Sequence, residues 1–134
     1  MDLEFRNRLS EAPLLHSKLL EFISIHPVSD RSRLALELAT EEHFANIVTH
    51  GYLDQEEHLI YFKLSWVRGG VQVEFQDEGV AYDPLKESPP DLSLPLDARP
   101  VGGLGVHMIR NSMDEVSYVR RGKRNILTLW KAAS

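Results

Sequence analysis

ELATEEHFANIVTHGY, residues 37–52, decides the reading of this chain. Glu42, Asn46 and His50 recur in it at i, i+4 and i+8. On a helix such residues stand above one another on one side, about one turn per step. At about 100° per residue, Leu34, Leu38 and Ala45 fall within about 40° of each other, and Ala39 lies about 140° round from Leu34. Glu42 and Asn46 lie between these limits and His50 at their edge. The polar column is therefore expected inside the apolar arc that faces the core. A carboxylate there costs on the order of several kcal/mol unless something compensates it. A structural buried polar cluster would do so, and so would a helix held off the core. Glu41, next door, points further out and reads as solvated.

Working outward, Leu3 and Phe5 alternate with polar neighbours and predict a short first strand. Ser10 is placed to cap a helix that carries Leu15, Leu19, Phe22 and Ile23 on one side, with Pro13 in its first turn. His26-Pro27 ends it. Ser29 or Asp30 opens a second helix that runs to about Gly51. Beyond it the period changes. Residues 59–67 are rich in aromatic and branched side chains, Arg68-Gly69-Gly70 makes a turn, and 71–75 returns as a strand. Residues 82–101 hold Pro84, Pro89, Pro90, Pro95 and Pro100, most of the 7 prolines. A loop of about 20 residues is uncommon in a compact domain and usually functional. Residues 105–113 read as a short helix, and 116–119 with 125–130 as a last hairpin around Arg121-Gly122-Lys123. The order β-α-α-β-β-loop-α-β-β implies an α+β fold, with helices layered on a mostly antiparallel sheet.

The chain has 134 residues, 43% hydrophobic and 26% charged, which suits one globular domain over 1–134. There is no cysteine, so disulfides and thiolate metal sites are excluded. A net charge of −5 argues against direct nucleic-acid binding. The opening MDLEFRNRLS carries charges where a signal peptide needs an apolar run, and no stretch is long enough to span a membrane. A cytoplasmic protein is expected. His16, His26, His43, His58 and His107 show no ligand spacing, so no zinc site is expected.

Val71, Val73 and Phe75 share a strand face with Asp77, because side chains alternate. Asp77 therefore points inward, and Gly79 follows. A buried carboxylate beside a glycine that permits close approach can accept a hydrogen bond from an exocyclic amine such as adenine's. Asp-Glu-Gly can equally be a turn after a strand. Gly102, Gly103 and Gly105 precede a helix, where backbone N–H groups and the helix N-terminus favour an anion. A flexible hinge is the plainer account. A dinucleotide fingerprint would need glycine at Met108, and no Walker A loop occurs. Thr128, between Ile126 and Trp130 on one face, is either a plain β-former or a hydrogen-bonding partner for a base next to Asp77.

In this order and spacing the three motifs resemble the GHKL or Bergerat-fold ATPases, which include sensor histidine kinases and type II topoisomerases. Glu42 and Asn46 match the N box, Asp77 and Gly79 the first glycine box, and Gly103 and Gly105 the second. The DEG..YDP, GGLG..MIR..MDEV and closing RN.LTL segments resemble more narrowly the bacterial anti-sigma-factor serine/threonine-protein kinases, over nearly the whole chain. The resemblance implies a two-layer α/β sandwich, a mostly antiparallel mixed sheet covered on one face by helices. It also implies ATP and Mg²⁺, with Asn46 coordinating the metal. Glu42 would be the base toward a partner's serine. Asp77 would hold the adenine amine, with Thr128 nearby through water and Gly79 packed against the base. Gly102, Gly103 and Gly105 would donate N–H groups to phosphates, and Leu104, Ala81 and His50 complete the nucleotide-contacting positions. The lid would span about 82–101, including Lys86 and Arg99. Tyr82 replaces a frequent phenylalanine of the family.

By the same resemblance the partners are a STAS-type anti-anti-sigma protein, a sigma factor and a second copy of the chain. The implied function is an ATP-dependent kinase controlling a sigma factor by partner switching. Two other readings stay open: a catalytically inactive ATP-binding switch module, and a detached ATPase domain of a sensor histidine kinase.

Overall fold

The computed structural model describes residues 1–81 and 109–134. One sheet runs in the order β1-β2-β3-β5-β4, with β1 Asp2–Arg6, β2 Leu59–Val67, β3 Gly70–Asp77, β4 Glu115–Arg121 and β5 Arg124–Ala132. Every neighbouring pair is antiparallel. The parallel pairing of a mixed sheet is thus absent among the described residues. A 3-10 turn at Leu9–Glu11 leads into α1 (Ala12–Ser24), and α2 (Asp30–His50) follows. The proline-rich 82–101 stretch and most of the expected 105–113 helix lie outside the described residues, although 109–112 are helical.

Period-2 alternation builds the inner face of the sheet. Ile60, Phe62 and Leu64 of β2, Val71, Val73 and Phe75 of β3, and Leu127 and Leu129 of β5 are buried. The β2–β3 turn is two residues long, with Arg68 at φ 51° and Gly69 at φ 69°. That twist matches the strands it joins. On the helix side, α1 buries Leu15, Leu19, Phe22 and Ile23, as its periodicity predicts. Ser10 does not cap it. The position before α1 is Glu11, whose carboxylate instead accepts the Arg6 N–H at 3.2 Å. Ser29 does cap α2, its hydroxyl accepting the Ser32 N–H at 3.1 Å.

The second helix turns a different face to the sheet from the Leu34–Leu38–Ala45 arc. Leu34 and Leu38 are 55% and 40% exposed, while Leu36, Ala39, Thr40, His43, Phe44 and Ile47 are buried. Ring packing accounts for the rotation. The His43 ring meets Phe75 edge-on at 4.8 Å, and Phe44 meets Phe5 at 6.3 Å. Phe5, Phe62 and Phe75 continue that chain across three strands, at 5.9 and 5.1 Å. Glu42, Asn46 and His50 consequently stand on the flank of the buried face, with Glu42 and Asn46 half-buried and His50 exposed.

The ends of α2 and β3 are clasped together. Val80 donates its N–H to the Gly51 carbonyl at 2.7 Å, and the Glu78 N–H reaches the Tyr52 hydroxyl at 2.9 Å. A Cβ on residue 79 would lie 2.4 Å from Gly51 O and 2.9 Å from Asp77 Oδ1. Only glycine fits.

Gly79→Ala should lower stability by about 1–3 kcal/mol through this backbone clash, read as a shifted urea midpoint at unchanged slope. An unshifted midpoint would show that the clasp has slack. Burial lowers the His43 pKa from 6.5 to about 3. The folded state then binds fewer protons than the unfolded one, so this contribution is present above pH 6.5 and is lost as pH falls toward 3. Between pH 7.5 and 5, wild type should lose about 2 kcal/mol relative to His43→Phe, measured by denaturant titration at each pH.

Candidate functional site

Asp77 ends β3 on the helix-facing side and is 5% exposed. Its Oδ1 accepts the Gly79 N–H at 2.9 Å and Asn125 Nδ2 at 3.0 Å. Asn125 sits directly across on β5, in register with Asp77. Two donors on β4 set the orientation of its amide. The Tyr118 hydroxyl and Arg120 Nη1 both donate to Asn125 Oδ1. Nδ2 is thereby turned toward Asp77 and the Val80 carbonyl, the latter at 2.9 Å. Arg120 also holds the Gly79 carbonyl at 2.8 Å. Burial pushes the Asp77 carboxyl above its ordinary pKa, opposed by the Asn125 and Gly79 hydrogen bonds and the Arg120 charge. Asp77 Oδ2 takes no hydrogen bond from the described residues. The carboxylate is thus fixed by one oxygen and offers the other.

One pocket brings α2 and the sheet together. Asn46, Ile47 and His50 line it from the helix, Asp77 from β3, and Asn125 and Leu127 from β5. Aliphatic walls with a few convergent polar groups suit a flat aromatic base. Asn46 Nδ2 is buried without a partner, so nothing among the described residues fixes which way the amide turns. Its oxygen is available to a cation. No group of three or more histidine, cysteine or acidic side chains among the described residues could hold a metal. A single amide oxygen such as that of Asn46 would suit Mg²⁺, which keeps several waters and takes further ligands from phosphates. Glu42 lies one turn before Asn46, outside the enclosed part of the pocket, and makes no hydrogen bond or ion pair with the described residues.

Asn46, His50 and Asp77 are therefore brought together, with Gly79 packed behind the carboxylate. Ala81 is exposed just beyond the Gly79 turn. Gly102, Gly103, Leu104, Gly105, Lys86 and Arg99 lie outside the described residues. Thr128 is a correction. It shares a face with Ile126 and Trp130, but that face is the outer one, opposite Glu74. Asp77 faces the other way, and a side chain three residues from its cross-strand partner cannot return to its side. The place beside Asp77 expected of Thr128 is held by Asn125. Asn125, Tyr118, Arg120 and His43 were not foreseen as site residues. The alternation that places Leu127 and Leu129 inward also places Asn125 inward, and was the available signal.

A model of the histidine kinase-like ATPase domain matches residues 5–131. The serine/threonine-protein kinase BtrW of Bordetella bronchiseptica is 37% identical over 101 residues, 75% of this chain and 71% of that protein. Among solved structures, a Mycobacterium tuberculosis chain containing RsbU and RsbW domains superimposes with a TM-score of 0.65 at 16% identity, covering 98% of this chain. This chain spans 32% of that one. The blue-light activated histidine kinase domain of Erythrobacter litoralis gives 0.56 at 15%, covering 93% of this chain and 60% of its own. These two likenesses concern the fold. With the family model spanning nearly its whole length, the chain belongs to the histidine kinase-like ATPase domain family, the GHKL or Bergerat-fold group.

Proposed function

We propose that this protein is an ATP-dependent serine/threonine-protein kinase and anti-sigma regulatory factor. Its substrate would be a serine or threonine on a STAS-type anti-anti-sigma protein, and its other partner a sigma factor, exchanged by partner switching. The observation that carries the nucleotide reading is the single pocket lined by Asn46 and Asp77 from opposite layers. The kinase reading is supported by the 37% identity to a protein named a serine/threonine kinase, together with retention of Glu42 on the turn before Asn46.

The chain's own groups divide the work. Asp77 Oδ2 accepts the adenine amine, while Asn125, Tyr118 and Arg120 hold Oδ1. Asn46 would supply an oxygen to Mg²⁺. Gly102, Gly103, Leu104 and Gly105 are proposed, from sequence, to meet the phosphates, and 82–101 to be the lid. When bound, Mg²⁺ neutralises phosphate charge, the main requirement of phosphoryl transfer. Glu42, unpaired among the described residues, is free to take the proton of the partner's hydroxyl. A homodimer in the cytoplasm is the proposed setting. No helix among the described residues is long and apolar enough to cross a membrane.

Label transfer from radiolabelled ATP to candidate STAS proteins, in the presence of Mg²⁺, tests this. Glu42→Gln should cut transfer about 10²–10⁴-fold while nucleotide affinity holds. Undiminished transfer rejects the base assignment. An acid-labile product would point to phosphohistidine and the histidine-kinase alternative. Asp77→Asn should weaken ADP binding about tenfold to a hundredfold in calorimetry. A raised carboxyl pKa means stability is lost as pH rises through it, so removing this charge should not destabilise the fold at pH 7. Unchanged affinity would remove the adenine contact.

A further inference from the structure

Nearly every polar group around the Asp77 end of the pocket is already spent. Asn125 uses both ends of its amide, and the Tyr118 hydroxyl is committed to it. The Gly79 and Val80 N–H groups go to Asp77 and Gly51. The free oxygen of Asp77 can only accept. A purine edge, however, sets an amine donor beside ring nitrogens that accept. A pocket that grips such an edge needs a donor near its carboxylate.

His43 meets that need. It lines the same pocket and is only 5% exposed. Its ring stands edge-on to Phe75, which precedes Asp77 by two residues on the same strand face, about 7 Å away along β3. Nδ1 is buried with no partner, and Nε2 makes no hydrogen bond to the described residues. A neutral imidazole has one N–H and one lone pair, and its partners normally choose the tautomer. Among the described residues nothing chooses here; Nδ1 is sealed from solvent, so of the two ring nitrogens Nε2 is the one left for a ligand in the pocket. Burial keeps the ring uncharged at ordinary pH. Thr40 Oγ1, one turn earlier, is also unpartnered but does not line the pocket.

We infer that His43 is a second base-recognition residue, donating its ring N–H to an endocyclic nitrogen of the purine whose amine Asp77 accepts. The inference rests on the adenine-nucleotide reading given above. It makes base selection a two-point contact, one from the sheet and one from the underside of α2.

Calorimetric titration of the full chain with ADP and with 1-deaza-, 3-deaza- and 7-deaza-ADP tests it. Wild type should lose about threefold to tenfold in affinity for one of the three analogues. His43→Phe, which keeps a ring against Phe75, should bind ADP weaker by the same factor and no longer distinguish that analogue. His43→Gln, which keeps an N–H donor, should recover part of the loss. Equal losses in wild type and His43→Phe across all three analogues would overturn the inference. If His43→Phe does not fold, the imidazole ¹⁵N resonances of wild-type His43 decide: a shift on adding ADP supports the contact, and unmoved resonances reject it. Failure of wild type to bind ADP at all would refute the nucleotide reading itself. Binding without coupling to residue 43 would refute only this contact.

Discussion

A single backbone hydrogen bond, from Val80 N–H to the Gly51 carbonyl, joins the two halves of the site. Residue 51 closes α2 and residue 80 follows β3. The bond forms because residue 79 has no side chain to keep the two strands of backbone apart. With this clasp made, Asn46 on the helix and Asp77 on the strand border the same pocket. Tyr52 adds a second tie through Glu78. The glycine is thus a steric requirement of the helix–strand junction.

Behind the clasp, aromatic packing fixes the rotation of α2. His43 and Phe44 lie against Phe75 and Phe5, so the helix axis has one azimuth that fills the space over the sheet. The polar column then sits at the margin of the core, where Glu42 escapes full desolvation. Asp77 is treated differently. Its carboxylate is buried, and the Asn125–Tyr118–Arg120 network compensates one oxygen while holding it in place.

Much of this was readable in the residues. The α1 stripe, the opening of α2 at Ser29 or Asp30, both hairpins and the inward direction of Asp77 follow from period and turn chemistry alone. The azimuth of α2 did not. Leu34 and Leu38 are more hydrophobic than Thr40 and His43, yet the latter face the sheet, because helix rotation is decided by partners supplied from distant strands. Thr128 failed for a related reason. Alternation says which residues share a face, but only the β3–β5 register says which face looks toward Asp77. Asn125 was hidden by the same gap. The glycine-rich motif, legible in sequence, lies outside the described residues.

The pairing of β3 with β5, from Gly70 opposite Ala132 to Asp77 opposite Asn125, also bears on how the molecule is made. During synthesis β2 and β3 emerge as a local hairpin, but the strand that completes their sheet is translated only after the whole of residues 78–123. Until it arrives, β3 is an open edge and its terminal carboxylate has no amide to hold it. Long-range closure of this kind slows folding and ties assembly of the pocket to completion of the sheet. A nascent chain that has not released β5 would have no organised base pocket with which to engage nucleotide.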